Sequence, residues 1–397
     1  MTDFMKEQRV GVGLIGCGNF AQWQHLPNLM RSERAELRWV CDIKPSLVDK
    51  TAGLSGARGT CEVERIWEDD RVEAVVIAVR DHQQAALCEE ALAAGKKVYL
   101  EKPAGASAEE IKRLLEASGD TGTSRVVVGF QKRFAPAYKR ARILLDADGG
   151  VHHLSLRMVD DAWRWASHYP PGSLLAHDVC HLFDLARWFC RAEVETVYAL
   201  RSRPDDDALL LRMTDGTPVS IMSSGHGTMD MPKERLEGLG YRGGVVVDDF
   251  VELRSYGYAG AGSREIFPGK DTLFPPALRG FWKDENGLES FAQLRKLVWR
   301  SRQDISAEEL GVTEEEYQSL REDVIPNFLR DQGWMQSIEE FLRGVASGDF
   351  GKHATLEDAH RAALVVEAAY KSLESGGLAK VSPVGAALSA AQSATGG

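Results

Sequence analysis

Long apolar runs, an excess of basic residues and paired cysteines are all missing from this chain, and each absence removes a class of function. No run of about 18 apolar residues occurs, so no segment reads as a membrane-spanning helix. The formal net charge is −11, which argues against nucleic acid or an anionic membrane as a partner. A local basic pocket for a phosphate-bearing cofactor remains compatible with it. The six cysteines, at positions 17, 41, 61, 88, 180 and 190, are scattered without metal-ligand pairing, so no metal is expected. Free cysteines behave as small apolar residues and suit a reducing compartment, here the cytoplasm. Residues 1–9 are charged and lack an apolar stretch, so no signal peptide is expected. There is no internal repeat.

What is present is ordinary for a globular protein: 44% hydrophobic and 27% charged residues over 397 positions, long enough for two domains. The first third alternates strand and helix. Apolar runs at Val10–Ile15, Leu37–Cys41, Ala74–Val79, Lys97–Leu100 and Arg125–Phe130 alternate with helical stretches, among them Asp81–Ala94, stopped by Gly95. Ser107 and Glu110 form a capping-box pattern. This βαβ rhythm predicts an α/β domain over residues 8–131 with a parallel sheet. From residue 132 to 383 the pattern becomes α+β. A helix at Phe134–Leu145 precedes strands at Val151–Met158, Val194–Ser202, Ala208–Met213, Val219–Ser224, Glu234–Leu239, Gly244–Val247 and Phe250–Ser255, which predict a large, mostly antiparallel sheet. Residues 257–330 read as an insertion with one or two surface helices. Asp331–Gly344 and Leu356–Glu374 read as helices that pack back onto the first domain, and 384–397 as a disordered tail.

Gly16-Cys17-Gly18-Asn19-Phe20-Ala21 matches G-x-G-x-x-G/A directly after the first strand. Gly16 permits the tight turn, Gly18 lets the backbone approach a pyrophosphate, and Ala21 allows close helix–strand packing. Alone the motif is weak. Asp42, ending the second strand, stands where a carboxylate takes the ribose 2′-hydroxyl, which favours NAD over NADP; nearby Lys44 keeps NADP open. Glu101-Lys102-Pro103 closes the strand Lys97–Leu100 and sets a lysine at the carboxyl edge of a parallel sheet, where ligands bind in such folds.

The fingerprint, Asp42, Glu101-Lys102-Pro103 and a later histidine-bearing helix together resemble the Gfo/Idh/MocA oxidoreductases. Ala368-Ala369-Tyr370-Lys371-Ser372-Leu373 and Arg235-Leu236-Glu237-Gly238 also resemble the family's pattern, whereas 257–330 has no counterpart. The resemblance implies an N-terminal Rossmann domain in which Glu101 and Lys102 border the cofactor. It also implies a cis Lys102–Pro103 bond, a lysine touching the reacting oxygen, and a second-domain sheet forming a substrate wall or an oligomer interface. A homo-oligomer, dimer or tetramer, follows by the same resemblance. One departure stands out: where the family shows Thr-Pro and then a histidine, this chain has Arg80 and Gln84.

Gly172 to Leu185 reads as one helix in which His177, His181 and Asp184 share a stripe while Leu175, Val179, Leu182 and Ala186 face a core. Histidine suits proton transfer near neutrality. His181 is expected to take a hydroxyl proton, Lys102 to stabilise the alkoxide, Asp178 or Asp184 to orient His181, and His177 to bind a neighbouring hydroxyl. The family's usual aspartate is replaced by His177, with Asp178 adjacent. Histidines that merely satisfy core hydrogen bonds are the plainer alternative. Arg133 resembles the family's arginine at the entry to the second domain and either binds substrate or braces the cleft. Trp163-Arg164-Trp165 with Tyr169 suits a sugar ring, or is a packed loop. His226 is a weaker candidate, and Trp282 and Trp299 lie in the insertion.

The leading expectation is an NAD(P)-dependent oxidoreductase moving hydride between the cofactor and a secondary hydroxyl or ketone of a sugar, glycoside or cyclitol. The alternatives are a reductase of a keto or imine intermediate in secondary metabolism, redox-neutral glycoside cleavage using held NAD, and a non-catalytic NAD-sensing regulator.

Overall fold

A computed structural model describes residues 9–162, 166, 169–228, 231–258, 262–267, 276–281, 287–303, 305–322 and 330–382. Trp163, Arg164, Trp165, Trp282 and the expected tail 384–397 lie outside the described residues. The chain divides into two compact units. The first runs to Phe134 and takes in Gly333–Ala363; the second comprises Ala135–Gln332 and the chain from Leu364 on.

The first unit holds six strands: β1 (Val10–Ile15), β2 (Ala35–Cys41), β3 (Arg58–Thr60), β4 (Ala74–Ile77), β5 (Lys97–Leu100) and β6 (Val126–Val128). All pairings are parallel and the order is β3-β2-β1-β4-β5-β6. This is the doubly wound order in which the sheet changes direction between β1 and β4, opening a crevice beyond their carboxyl ends. β1 and β4 are buried along their whole length, which explains their continuous apolar sequence. Val12, Leu14, Val40, Val76 and Tyr99 form a core with Ile338, Phe341, Leu342 and Val345 of the helix Trp334–Ser347. That helix was expected three residues earlier. Gly333 has φ 89°, a left-handed conformation that cannot lie inside a helix, so the helix begins after it. The short strand β3 and the helices Pro45–Ser55 and Glu64–Trp67 carry too little periodicity to stand out in the sequence.

The second unit is built on a nine-stranded sheet of β7 (His153–Val159), β8 (Val194–Arg203), β9 (Asp206–Met213), β10 (Pro218–Ser224), β11 (Glu234–Leu239), β12 (Gly244–Asp248), β13 (Glu252–Tyr256), β14 (Arg264–Ile266) and β15 (Ala379–Lys380). Its order is β14-β13-β12-β11-β7-β10-β9-β8-β15. Among the described residues only the β7–β10 pair of this sheet is parallel. Along β9 and β11 burial alternates residue by residue, so one face is core and the other is not.

Two expectations need correction here. Gly172–Leu185 is not one α-helix: a π-helical turn, Leu175–Val179, runs into the α-helix Cys180–Cys190. The wider i→i+5 turn changes how His177 and Asp178 project, so α-helical spacing does not describe them. Among its described residues the insertion carries three α-helices, Leu288–Ser301, Ala307–Leu310 and Glu314–Glu322, and a 3-10 helix, Pro276–Phe281, where one or two helices were expected. They have their own small core: Phe291, Leu294 and Val298, at i, i+3 and i+7, pack with Val251, Leu278 and Leu320. Its anchor is Asp249, a buried carboxylate at φ 52° that meets Arg295 Nη1 at 2.8 Å and also pairs with the buried Arg330.

Asp249→Asn keeps the shape and tolerates the left-handed backbone, but removes the charge shared by two buried guanidiniums. It should cost about 3 kcal/mol or more, read as a lowered urea midpoint; an unchanged midpoint would show that the anchor carries no stability. In the first unit His353 is 5% exposed, and burial presses its imidazole down from 6.5 to about 4. A depressed histidine contributes stability that is complete above pH 6.5 and lost as pH falls toward 4, roughly 3 kcal/mol in all. His353→Phe should flatten that part of the stability–pH curve; parallel curves for the two proteins would contradict it.

Candidate active site

The glycine turn follows β1 directly. Gly16 has φ 95°, and a Cβ there would lie 2.2 Å from the carbonyl oxygen of Ala78, so the residue is required to be glycine. A Cβ on Gly18 would meet nothing within 4 Å, so the turn is open on that side. Ala21 is buried, Asn19 is exposed, and Phe20 packs edge-on against His25 and Trp334, at 5.4 and 5.1 Å between ring centroids. Asp42 also closes the turn: its Oδ2 accepts from the Cys17 N–H at 2.8 Å and its Oδ1 from the Lys44 N–H at 2.9 Å. Each carboxylate oxygen keeps a further lone pair for a ribose hydroxyl. An open glycine turn beside an acid at the end of β2 fits NAD, which Gly16, Gly18, Asn19, Phe20, Ala21 and Asp42 would hold.

Glu101-Lys102-Pro103 leaves β5, and the Lys102–Pro103 bond is cis. Glu101 turns inward. Its Oε1 meets His25 Nε2 at 2.9 Å with both side chains buried, and its Oε2 accepts from the Lys102 N–H at 3.0 Å. Gln84 Nε2 donates to the carbonyls of Glu101 at 2.8 Å and Pro103 at 3.0 Å. Its i+3-to-i+4 neighbourhood in the sequence offered no sign of this; the one signal was that glutamine stands where the resembled family has histidine. Arg80, at the start of the helix Asp81–Ala93, is exposed. Arg133 pairs with Asp358 at 3.4 Å, and Asp358 also accepts from the Thr355 N–H at 3.0 Å, so Arg133 braces the start of the helix Leu356–Ser375.

In the second unit the histidine-bearing helix is pinned at its start. Asp205 accepts from the N–H groups of Gly172 and Leu174, both at 2.9 Å, and the Gly172 carbonyl accepts from Tyr370 Oη and Arg201 Nη2, both at 3.1 Å. Gly172 has φ 87°, and a Cβ would collide with Arg201 at 2.6 Å. His177 stacks on Tyr169 at 3.8 Å, which brings two expected substrate residues together. His181 and Asp184 are buried one helical turn apart. Leu175, Val179, Leu182 and Ala186 are all core.

Asp178 is committed elsewhere. Lys233 Nζ lies 3.0 Å from its Oδ2 and 2.5 Å from Asp160 Oδ2. Burial presses the Lys233 ammonium toward losing its proton, but the two carboxylates outweigh that and hold its pKa above the ordinary lysine range. Burial raises Asp160 in turn, and Lys233 overrides it and keeps the acid ionised. Lys233 and Asp160 carried no motif in the sequence; only β7 and β11 pairing side by side brings them to the helix. His226 Nε2–H donates to the Pro204 carbonyl, 2.9 Å away, and so supports a turn. Trp299 packs against the insertion's core.

Comparison with known proteins agrees with this architecture. Residues 10–130 match the family model GFO_IDH_MocA, described as an oxidoreductase family with an NAD-binding Rossmann fold. An inositol 2-dehydrogenase of Rubrobacter xylanophilus is 29% identical over 245 residues, covering 60% of this chain and 69% of that protein. Inositol 2-dehydrogenase 2 of Saccharopolyspora erythraea is 29% identical over 273 residues, 68% of this chain and 74% of that protein. Among solved structures, the fold is shared with apo scyllo-inositol dehydrogenase from Lactobacillus casei, at a TM-score of 0.69 and 18% identity, over 95% of this chain and 99% of that one. It is likewise shared with the WlbA dehydrogenase of Bordetella pertussis, at 0.68 and 17%, over 96% and 100%. The N-terminal Rossmann region, residues 10–130, is that of the Gfo/Idh/MocA family of NAD-binding oxidoreductases.

Proposed function

We propose that this oxidoreductase is an NAD-dependent dehydrogenase or reductase that interconverts a secondary hydroxyl and a ketone on a cyclitol or sugar. The observation that carries it is the anchored Lys102: an amine on a strand end whose backbone is held by Glu101 and Gln84, in an NAD-type Rossmann unit. The substrate class rests on the inositol 2-dehydrogenases to which the chain is similar.

Bound NAD supplies the hydride acceptor, or as NADH the donor. The protein's part is to manage the proton and the charge on oxygen. In oxidation, His181 takes the hydroxyl proton as the C–H bond gives up hydride and the C=O bond forms. The Lys102 ammonium stabilises the negative charge growing on that oxygen. Because Asp178 is occupied by Lys233, Asp184 is assigned to orient His181. His177, its ring set by Tyr169, binds a neighbouring hydroxyl. Trp163, Arg164 and Trp165 are assigned to the substrate, Arg133 to the brace already described, and Glu101 to the support of Lys102.

A homo-oligomer belongs to the same proposal. The outward face of the large sheet exposes Leu200, Leu210, Met222, Leu239 and Tyr256 between charged side chains such as Arg212, Arg235 and Glu237, a mixed surface of the kind that a second copy covers. A cytoplasmic location is proposed from six free cysteines. No helix among the described residues is long and apolar enough to cross a membrane.

Purified protein mixed with NAD and myo-inositol, scyllo-inositol or free hexoses should produce NADH absorbance. Lys102→Met should lower kcat on the order of a thousandfold while NADH binding, followed by fluorescence, stays within about threefold. Wild-type turnover in that variant would refute the role of the lysine. Asp42→Asn keeps an acceptor for the Cys17 N–H but removes the charge that repels a 2′-phosphate. The ratio of NAD to NADP affinity should fall by about tenfold or more; an unchanged ratio would remove Asp42 from cofactor selection.

A further inference from the structure

We infer that Gln84 is a positioning residue for Lys102, acting through the two carbonyls that flank the lysine. Its Nε2 donates to Glu101 O at 2.8 Å and to Pro103 O at 3.0 Å. This deepens the proposed role of Lys102 and rests on it. Gln84 sits in the first turn of the helix Asp81–Ala93 and is 1% exposed, so water does not compete for either bond. The Lys102 N–H is meanwhile bound by Glu101 Oε2 at 3.0 Å, and Glu101 is held by His25 from the other side. The main chain on both sides of the lysine is therefore tied down, while the lysine side chain is partly exposed.

The chemistry selects glutamine. One –NH₂ group carries two hydrogens and serves two acceptors from a single point. A methionine fills the same space with no donor. A glutamate would set a carboxylate against two carbonyl oxygens. Asparagine is one methylene too short. A histidine nitrogen carries a single hydrogen, so it can serve only one of the two carbonyls. The exchange of the family's usual histidine for Gln84 is thus a different way of fixing the backbone under the lysine. Rates depend steeply on such placement, since a shift of about 1 Å in a catalytic group costs on the order of 10²-fold.

The test compares wild type, Gln84→Met and the isosteric Gln84→Glu as NAD complexes, by crystal structure and by steady-state kinetics with myo-inositol. The expected result is a displacement of the 101–103 backbone and of Lys102 Nζ by about 1 Å, with kcat lowered on the order of 10²-fold. KM and NADH affinity should stay within about threefold, whereas a merely structural role would lower the melting temperature and the cofactor affinity together. If either variant folds with this segment unmoved and kcat intact, the inference is overturned. The two readings separate cleanly. Turnover surviving in Lys102→Met sinks the catalytic role of the lysine even if the segment moves. An inactive Lys102→Met beside a fully active, unmoved Gln84→Met sinks only the role of Gln84.

Discussion

A charge taken out of water has to be met by another charge or by hydrogen bonds, and both units of this protein are arranged around that requirement. In the first unit the buried group is the Glu101 carboxylate. His25 from the glycine-turn helix and the Lys102 N–H replace the water it has lost. The consequence is geometric. A side chain satisfied in this way fixes its own backbone, and that backbone is the base of the lysine.

The second unit obeys the same rule at two places. Lys233 brings Asp160 of the segment after β7 and Asp178 of the π-helical turn to one ammonium, which ties the histidine-bearing helix to the sheet. Asp249 joins Arg295 and Arg330, which ties the insertion to the same sheet. Buried ion pairs of this kind add little net stability over apolar packing, but they penalise any arrangement that separates the partners. They are therefore suited to holding one geometry, which is what proton transfer to a particular oxygen demands.

The departures from the family pattern take on meaning in this setting. Gln84 stands where a histidine is usual and binds two carbonyls with one amide. His177 stands where an aspartate is usual, and its ring stacks on Tyr169. Asp178, adjacent to it, is drawn to Lys233. Two of these contacts span the chain: Gln84 is 17 residues from Glu101 and Lys233 is 55 from Asp178. No local spacing encodes such a meeting, so motif reasoning passed over Lys233 altogether and left the choice between Asp178 and Asp184 open.

The sequence by itself determined what short-range physics writes locally. Glycines at a turn, apolar runs of strand length, period-two alternation and a carboxylate ending β2 were enough for the Rossmann unit, the mostly antiparallel sheet, Lys102 at a strand end and the stripe of His181 and Asp184. Tertiary structure alone decided the π-helical turn, the packing of the insertion's helices, and the partners of Gln84, Glu101 and Asp178. The reason is that secondary structure answers to neighbours within a few residues, whereas the pairing of a buried polar group is settled only when distant strands and helices have come together and excluded water.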